Sequence, residues 1–557
     1  YMAFYEKAAA PDHLERAHYY LQLTKRLLEQ DKQNRSHQSD RLYVTAQAHQ
    51  LYELEVKWYR LQAAQRQAPP DFNRTLQAFE NNKAISLEES LQSRQAQRSS
   101  GIPDSLLTLK ETYQKKVAQL QKERFSKANA NQRSAIELEL ARTRAQRDSL
   151  ERLLRKQYPL YARRVRRTST LELKAIQEKL LDPKTALIEY LVGDSTTYQL
   201  VVTSDTVCFY DLQLPKRQLE KRLQTFRKQL TNYGQQAPSK ALPAFRTQAH
   251  ALYQQLLAKA LTGLAGQTQL VIVPDHQLGQ LPFEALLGSS DTVLESYQQL
   301  DYLLQHYSIS YSYSTQFLWR YAKRHSPKQG PPRVLALAST YTLEDSTVLW
   351  QRSLQQRRLR SHLQPLPSAQ QEVQQLQTLF AQGQFWRDSQ AVETAFKAQA
   401  STYDILHLAM HGLIDIREPS LSALVLTEDG QATDDNFLYA YEIMPLQLSA
   451  KLVVLSACET GYGKFEKGDG IQSLSRSFKN AGVPSTVVSH WQVNDYATNQ
   501  IMALSSLLGG FCQHRAERGG GRGGSALVAL GDIGLGTGCH GQLGIPPLAA
   551  GAVIAFF

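Results

Sequence analysis

The sequence predicts an α/β domain built on a mostly parallel β-sheet, preceded by an all-α region. In the first part of the chain, apolar residues such as Leu14, Ala17 and Leu21 recur at helical spacing. From Lys184 onwards, short β-rich segments alternate with helical ones, which is typical of βα units. Hydrophobic residues make up 42% of the 557 residues, so the chain can bury a sizeable core.

Composition excludes several classes of protein. Four cysteines in 557 residues rule out a disulfide scaffold, and no Cys or His spacing suggests a zinc site. There is no uninterrupted run of about 18 apolar residues, which argues against an ordinary membrane span. No charged-then-apolar leader follows Tyr1, so we expect no signal peptide, although a natural start upstream is compatible with this. We therefore expect a cytoplasmic protein that does not enter a membrane.

Two helical regions are predicted before the α/β pattern begins. Residues 1–100 read as helices joined by short polar turns, with the breakers Pro69–Pro70 between them. Helices of about 20 residues suit a tetratricopeptide-like array, although no period aligns three times. Residues 101–180 are predicted to form a basic helical hairpin or coiled-coil arm, broken near Asn129–Asn131.

The positive charge of the chain is concentrated in this arm. Lys115–Arg167 holds 16 Lys/Arg against 5 Asp/Glu, a balance of +11 within a total of +12. A globally basic protein would indicate nucleic-acid binding, whereas one basic arm with little aromatic interleaving indicates it much less. We interpret the cluster Arg163–Arg167 as a solvated helix end. The alternative is an RNA or acidic protein partner.

The α/β pattern covers residues 181–508. It begins with a hairpin over Thr185–Val192 and Tyr198–Thr203, followed by helices over 216–231 and 240–264. Further strands are predicted at Leu270–Val273, Val334–Ala338, Gln384–Trp386, Ile405–Ala409, Leu452–Ser456 and Ser485–Ser489, and further helices over 368–382, 391–399 and 470–481.

Residues 509–557 differ from the rest of the chain. They contain 14 of the 30 glycines, neither Tyr nor Lys, and no clear period. A flexible tail and a weakly membrane-interacting end are two interpretations. We favour a third, a translated frameshift, because the composition changes abruptly after a well-patterned segment.

Two segments carry the predicted chemistry. Ile405–Gly412 is an apolar strand ending in His411–Gly412, and Leu452–Gly461 is an apolar strand followed by Cys458. Functional groups in open parallel sheets sit at the carboxyl ends of strands, so neighbouring strands would bring the imidazole and the thiol together across one crevice. The imidazole would raise the thiolate fraction and later protonate a leaving amine. Backbone N–H groups around Gly412 and Cys458 could stabilise an oxyanion.

Taken alone, each of these residues has a plainer interpretation. A lone Cys after an apolar strand is usually a small buried hydrophobe, and a lone His is usually structural. The joint pattern, with Cys458 47 residues after His411, favours the catalytic interpretation. His407, in the middle of its strand, and Cys208, on an earlier strand, are interpreted as core residues.

These motifs resemble the CHAT domain, a caspase-like cysteine peptidase domain often found behind tetratricopeptide repeats in bacteria. The resemblance extends beyond the His–Cys pair, with His276 standing where the family usually has Gly. It is carried by Leu270–Leu286, Ala369–Val373, Leu406–Gly412, Leu452–Gly461, Gly468–Phe478 and Val487–Asp495 with Trp491.

The resemblance implies a division of residues 181–508 into a pseudo-domain, 181–325, and a catalytic part, 326–508. It further implies that His411 is the general base or acid and Cys458 the nucleophile of peptide-bond hydrolysis through an acyl-enzyme, without metal or cofactor. Asp469 and Asp495 would lie near the crevice and favour a basic residue before the cut. The alternative for Asp469 is that it caps a helix beginning near Gly470.

The first hypothesis is therefore a regulated cysteine endopeptidase acting on a protein substrate, controlled by a helical region that binds a protein partner. The alternative is a catalytically silent scaffold that binds protein partners. Nucleic-acid binding by the basic arm ranks last. The family normally continues with a further helix and a terminal hydrophobic segment, where this chain has the Gly-rich tail. If the tail is a frameshift, the domain lacks this last helix and an edge strand could be missing too, which would change its stability and its crevice geometry.

Overall fold

The structure is a computed structural model. It describes residues 2, 6, 11–34, 38–81, 83–98, 100–126, 130–166, 171–231, 238–290, 296–322, 331–341, 363–429, 435–491 and 553–556. Asp495, most of the Gly-rich tail, and the side chains of Arg164, Arg166 and Arg167 lie outside the described residues.

Eight helices are described before the first strand. They are α1 (Pro11–Asn34), α2 (Gln38–Arg66), α3 (Phe72–Glu80), α4 (Ile85–Arg98), α5 (Asp104–Ser126), α6 (Ala130–Gln157), α7 (Pro159–Arg166) and α8 (Leu173–Lys179). The predicted all-α region is thereby confirmed. Helices α3 and α4 are separate because the chain turns at Ala84, which has a positive φ of 49°. Asp71 begins α3 by accepting the backbone N–H of Arg74.

The rest of the described chain is α/β. Its strands are β1 (Thr185–Val192), β2 (Thr197–Val202), β3 (Val207–Asp211), β4 (Gln269–Val273), β5 (Ser308–Tyr311), β6 (Val334–Ala338), β7 (Gly383–Arg387), β8 (Ile405–Ala409), β9 (His411–Leu413), β10 (Ala423–Val425), β11 (Phe437–Tyr439), β12 (Leu452–Ser456), β13 (Gly463–Glu466), β14 (Gly470–Ser473), β15 (Ser485–Ser489) and β16 (Val553–Phe556). Its helices are α9 (Lys216–Thr231), α10 (Pro238–Leu256), α11 (Ala258–Thr262), α12 (Thr315–Ala322), α13 (Pro367–Leu379), α14 (Glu393–Gln399), α15 (Ala440–Ile443) and α16 (Leu474–Asn480).

One large sheet organises the α/β part. Its described strands have the order β3-β2-β1-β4-β5-β16-β15-β12-β8-β6-β7. The run β15-β12-β8-β6-β7 is parallel throughout, as are β1-β4-β5-β16, while the β1–β2–β3 meander and the β15–β16 pair are antiparallel. This confirms the predicted mostly parallel α/β architecture. The end of the Gly-rich tail, Val553–Phe556, lies between the two halves of the sheet.

The inner strands of the sheet are buried on both faces, whereas the edge strands β3 and β7 are only partly buried. In β1, Ile188 and Tyr190 pack among the residues of α9 and α10, while Leu187 and Leu191 pack against α1, α2 and α3 on the opposite face. This alternation follows from the two-residue period of a strand. It explains why the strands read as continuous apolar runs. The helical region is therefore packed directly onto the sheet.

The predicted helix over 470–481 is wrong at its start. Gly470–Ser473 pairs antiparallel with Gly463–Glu466 to form a hairpin, β13–β14. Gly468 and Gly470 have φ of 76° and 84°, which allow the sharp reversal. The helix begins only at Leu474, where the Ser473 side chain accepts the N–H of Arg476. The predicted helix over 240–264 is likewise two helices, interrupted at Leu257.

Among the described residues, every helix is too short or too polar to cross a membrane.

Candidate active site

Two neighbouring parallel strands carry the predicted His and Cys. Strand β8 pairs with β12 from Ile405 opposite Leu452 to Ala409 opposite Ser456. His411 and Cys458 each lie two residues beyond the last of these pairs. Both residues therefore leave the same edge of the sheet at the same level, as the strand-end rule predicts.

The backbones of the two segments touch at Gly412. A Cβ atom built on Gly412 would lie 2.8 Å from the carbonyl oxygen of Cys458 and 3.6 Å from the Cβ of Ala457. Any side chain at this position would collide with the Cys458 backbone, so glycine permits the close approach. Both His411 and Cys458 are half-buried at this junction.

The imidazole of His411 is held by the segment before α13. Its Nε2 lies 2.7 Å from the carbonyl oxygen of Gln364. A carbonyl can only accept, so Nε2 carries the proton and Nδ1 keeps a lone pair in the neutral ring. On the other side, the hydroxyl of Tyr341 accepts the backbone N–H of His411 at 3.0 Å and donates to the carbonyl of Val425 at 2.7 Å. The two rings lie 4.8 Å apart.

The loop that carries Cys458 is fixed by hydrogen bonds to β15. The hydroxyl of Ser489 donates to the carbonyl of Ala457 at 2.6 Å, and the N–H of Gly461 donates to the carbonyl of Ser489 at 2.9 Å. Glu459 adopts the left-handed conformation with φ of 58°. A bulky residue in that region is uncommon and is held there by its surroundings.

One of the contacts that hold Glu459 comes from α9, a helix in the first half of the α/β part. Arg227 on α9 donates from Nη2 to Glu459 Oε1 at 3.0 Å and from Nη1 to the carbonyl of His490 at 3.0 Å. Its guanidinium stacks on Tyr462 at 3.4 Å. Burial lowers the pKa of Arg227, whereas Tyr462 and Glu459 oppose that shift. The guanidinium thus links the Cys458 loop and the end of β15 to α9.

Asp469 is buried away from open solvent and its carboxylate is engaged. Oδ1 accepts from Arg476 Nη2 at 2.6 Å and from the backbone N–H of Ser86 at 2.9 Å. Oδ2 accepts from the Ser86 hydroxyl at 2.5 Å and from Gln472 Nε2 at 3.0 Å. Asp469 therefore accepts hydrogen bonds from the first turn of α4, where Ser86 lies 383 residues earlier in the chain. It does not cap a helix near Gly470.

The hairpin that bears Asp469 also contacts the first half of the sheet. Gln280 donates to the carbonyl of Gly463 at 2.7 Å, and the ring of His276 lies 4.1 Å from that of Phe465. Burial lowers the pKa of His276 to about 4. The hairpin follows the Cys458 loop directly, so it joins that loop to the helical region and to the first half.

His407 is a core residue with polar partners. It is 1% exposed, and its Nε2 lies 2.5 Å from Oε1 of Glu372 on α13. Oε2 of the same carboxylate accepts from the Ser456 hydroxyl at 3.0 Å. Glu372 therefore joins the two strands that lead to His411 and Cys458.

Sequence reasoning missed three groups of this site. Tyr341 follows the carboxyl end of β6 by three residues, so the strand-end rule could have found it. The Gln364 contact is made by a backbone carbonyl, which leaves no signal in the residue type. Arg227 lies on a helix of the other half, and only the three-dimensional arrangement brings it to Glu459. Within the described ranges, there is no cluster of His, Cys, Asp and Glu that could hold a metal ion.

Comparison with protein-family models gives a match for the segment that carries this arrangement. Residues 246–521 match the model of the CHAT domain. The chain contains a CHAT domain. The match confirms the resemblance seen in the sequence motifs, and its range includes Gln364, His411, Gly412, Cys458 and Asp469. Arg227 and Ser86 lie outside it. A comparison with curated protein sequences gave no significant match.

Solved structures resemble the chain at low identity. A chain in the separase–securin complex of Saccharomyces cerevisiae is 9% identical, with a TM-score of 0.39, and the match covers 98% of this chain. The Arg-specific cysteine proteinase gingipain R is 9% identical, with a TM-score of 0.31, and the match covers 61% of this chain and 74% of that one. This chain spans about 40% of the length of the matched chain in the separase–securin complex.

Proposed function

We propose that the protein is a cysteine endopeptidase that cleaves a protein substrate through His411 and Cys458. The observation that carries the proposal is the adjoining of the His411–Gly412 and Cys458 backbones at the carboxyl ends of β8 and β12. The CHAT match over residues 246–521 supports it.

In the proposed reaction, Nδ1 of His411 takes the thiol proton of Cys458. The contact of Nε2 with the Gln364 carbonyl supports this tautomer. The thiolate attacks the carbonyl carbon of the scissile bond, and N–H groups at Gly412 and Cys458 receive the oxyanion. The Nδ1 proton passes to the leaving amine as the C–N bond breaks, leaving a thioester. His411 then activates a water that hydrolyses the thioester and regenerates the thiol.

We further propose that the helical region, on binding a protein partner, controls this site. The support is the chain of contacts from α4 through Asp469 and the β13–β14 hairpin to the Cys458 loop. A shift of α4 would move the Ser86 donors and with them the hairpin. A Ser86→Ala variant should therefore change the rate at which Cys458 is labelled. An unchanged rate, with Asp469 still bound to Arg476, would argue against control by this route.

We also propose cleavage after a basic residue, with Asp495 as the main candidate for the carboxylate that binds this residue of the substrate. Both oxygens of Asp469 are engaged by Ser86, Gln472 and Arg476. A carboxylate already paired with a buried arginine offers little to a substrate cation.

The decisive experiment is mass-spectrometric labelling with a peptide acyloxymethyl ketone carrying Arg. Cys458 should be labelled in the wild type and in a Cys208→Ala control, and labelling should be lost in Cys458→Ala and His411→Ala. A matched probe carrying Leu in place of Arg distinguishes a peptidase with a different specificity from a protein that has no functional dyad.

If neither probe reacts, while iodoacetamide alkylates Cys458 equally fast with and without His411, the endopeptidase is refuted. The protein would then be a catalytically silent scaffold that binds protein partners.

A further inference from the structure

Beneath the His–Cys pair lies a buried polar network that the proposed reaction does not use. Glu372 projects from α13 and is 2% exposed. Its two carboxylate oxygens reach His407 on β8 at 2.5 Å and Ser456 on β12 at 3.0 Å. A buried carboxylate is costly unless its lone pairs are satisfied, so both contacts are needed to keep it there.

The two partners stand directly before the proposed catalytic residues. His407 precedes His411 by four residues, and Ser456 precedes Cys458 by two. Ser456 is paired with Ala409 in the β8–β12 register. Residues an even number apart on a strand share a face, so His407 and Ala409 lie on one face of β8. A bond across this face therefore fixes the separation of β8 and β12 where both strands end.

The same helix also reaches His411 directly. Pro367 starts α13, and Gln364 three residues earlier gives its carbonyl to His411 Nε2. On the first turn of α13, Gln370 donates to the carbonyls of Ala338 and Ser339 at 3.1 and 3.2 Å. Glu372 and Gln370 thus seat the helix on the sheet, and the seated helix presents the Gln364 carbonyl to the imidazole.

We propose that Glu372 is a positioning residue that holds the His411 imidazole and the Cys458 loop in reacting geometry through α13, His407 and Ser456. The inference rests on the proposed function. Glu372 itself lies within the core and does not touch the substrate. Loss of its bridge should leave both reacting groups present and misaligned, and misplacement of about 1 Å at a reacting pair can cost on the order of 100-fold in rate.

The test uses the full chain and two readouts. The first is the rate of Cys458 alkylation by iodoacetamide against pH, which reports the imidazole–thiol pairing without requiring peptidase activity. The second is labelling by the Arg acyloxymethyl ketone, separated into its maximal rate and its half-saturating concentration. Ser456→Ala removes one arm of the bridge with little change in volume, and Glu372→Ala removes both.

Thr197→Val is the matched control. It deletes a buried hydroxyl that donates to the Leu214 carbonyl at 2.7 Å, in the other half of the sheet. The control should cost comparable stability and leave Cys458 unaffected. Glu372→Gln, which can still accept from His407 and donate to Ser456, should partly rescue the loss seen in Glu372→Ala.

The expected result is a maximal labelling rate reduced about tenfold in Ser456→Ala and about 100-fold in Glu372→Ala, at an unchanged half-saturating concentration. In both variants, the pH dependence of the Cys458 alkylation rate should become more like that of His411→Ala. Unchanged profiles and rates in folded Ser456→Ala, and in Glu372→Ala where it folds, would overturn the positioning role while leaving the peptidase intact. A wild-type profile identical to that of His411→Ala would instead overturn the dyad, and the positioning role with it.

Discussion

Replacing Asp469 with Asn tests whether this carboxylate holds the fold or receives the substrate. The aspartate is 2% exposed and pairs with Arg476, also 2% exposed, at 2.6 Å. Asn keeps one acceptor oxygen and nearly the same volume. It leaves the Arg476 guanidinium buried without a countercharge, and it places an amide where Gln472 and Ser86 now donate.

Removing one partner of a buried ion pair costs about 3–5 kcal/mol. We therefore expect Asp469→Asn to lower the free energy of unfolding by that amount, measured by chemical denaturation. The matched control is Asp388→Asn, because Asp388 is exposed and has a φ of 50° that Asn also tolerates. The control should change stability by less than about 0.5 kcal/mol.

The same variant distinguishes the two roles of Asp469. A structural carboxylate predicts a large loss of stability and no change in the preference between Arg and Leu probes at temperatures where the variant is folded. A loss of less than about 1 kcal/mol, together with a selective loss of labelling by the Arg probe, would refute our reasoning. It would establish Asp469 as the group that binds the basic residue.

Two further predictions concern Glu284 and Gly412. Burial raises the pKa of Glu284 to about 8, against 4.5 when unfolded, so the unfolded chain loses its proton first and wild-type stability should fall as pH rises between these values. Glu284→Gln should remove this fall in stability with pH. Thermal denaturation at pH 9 should find the variant more stable than wild type by about 3–5 kcal/mol. An unchanged dependence of stability on pH in the variant would contradict the assigned pKa. Gly412→Ala places a methyl 2.8 Å from the Cys458 carbonyl and should slow probe labelling at least about tenfold, whereas Gly263→Ala, whose nearest neighbour is 3.4 Å away, should leave labelling at the wild-type rate.

The strands were predictable because each is a short apolar run between polar breaks. Val334–Ala338, Ile405–Ala409, Leu452–Ser456 and Ser485–Ser489 begin and end at the predicted residues. The positions of His411 and Cys458 followed from these boundaries and from the strand-end rule. The hairpin at Gly470–Ser473 was missed because its residues resemble a helix start, and only the positive φ of two glycines reveals the reversal.

The contacts that shape the site were much less predictable. Ser86 and Asp469 are 383 residues apart, and neither residue type by itself indicates the other. The bond from Gln364 to His411 uses a backbone carbonyl that any residue possesses. Glu372 was visible in the sequence as part of a motif, but its role depends on facing His407 and Ser456 at once. Local pattern thus identifies where chemistry can occur, and long-range packing decides its geometry.

The structural unit that shapes the Cys458 loop is longer than the CHAT match. Arg227 on α9 binds Glu459, and Ser86 on α4 binds Asp469. Arg227 and Ser86 both precede residue 246, where the match begins. Glu459 occupies a left-handed conformation beside Cys458, and Arg227 is the cation that pairs with it there. A loop held from two outside elements responds to displacement of either one. The fold thus connects the Cys458 loop to the helical region, and under the proposed regulation a partner that moves α4 would act on Cys458 without entering the crevice.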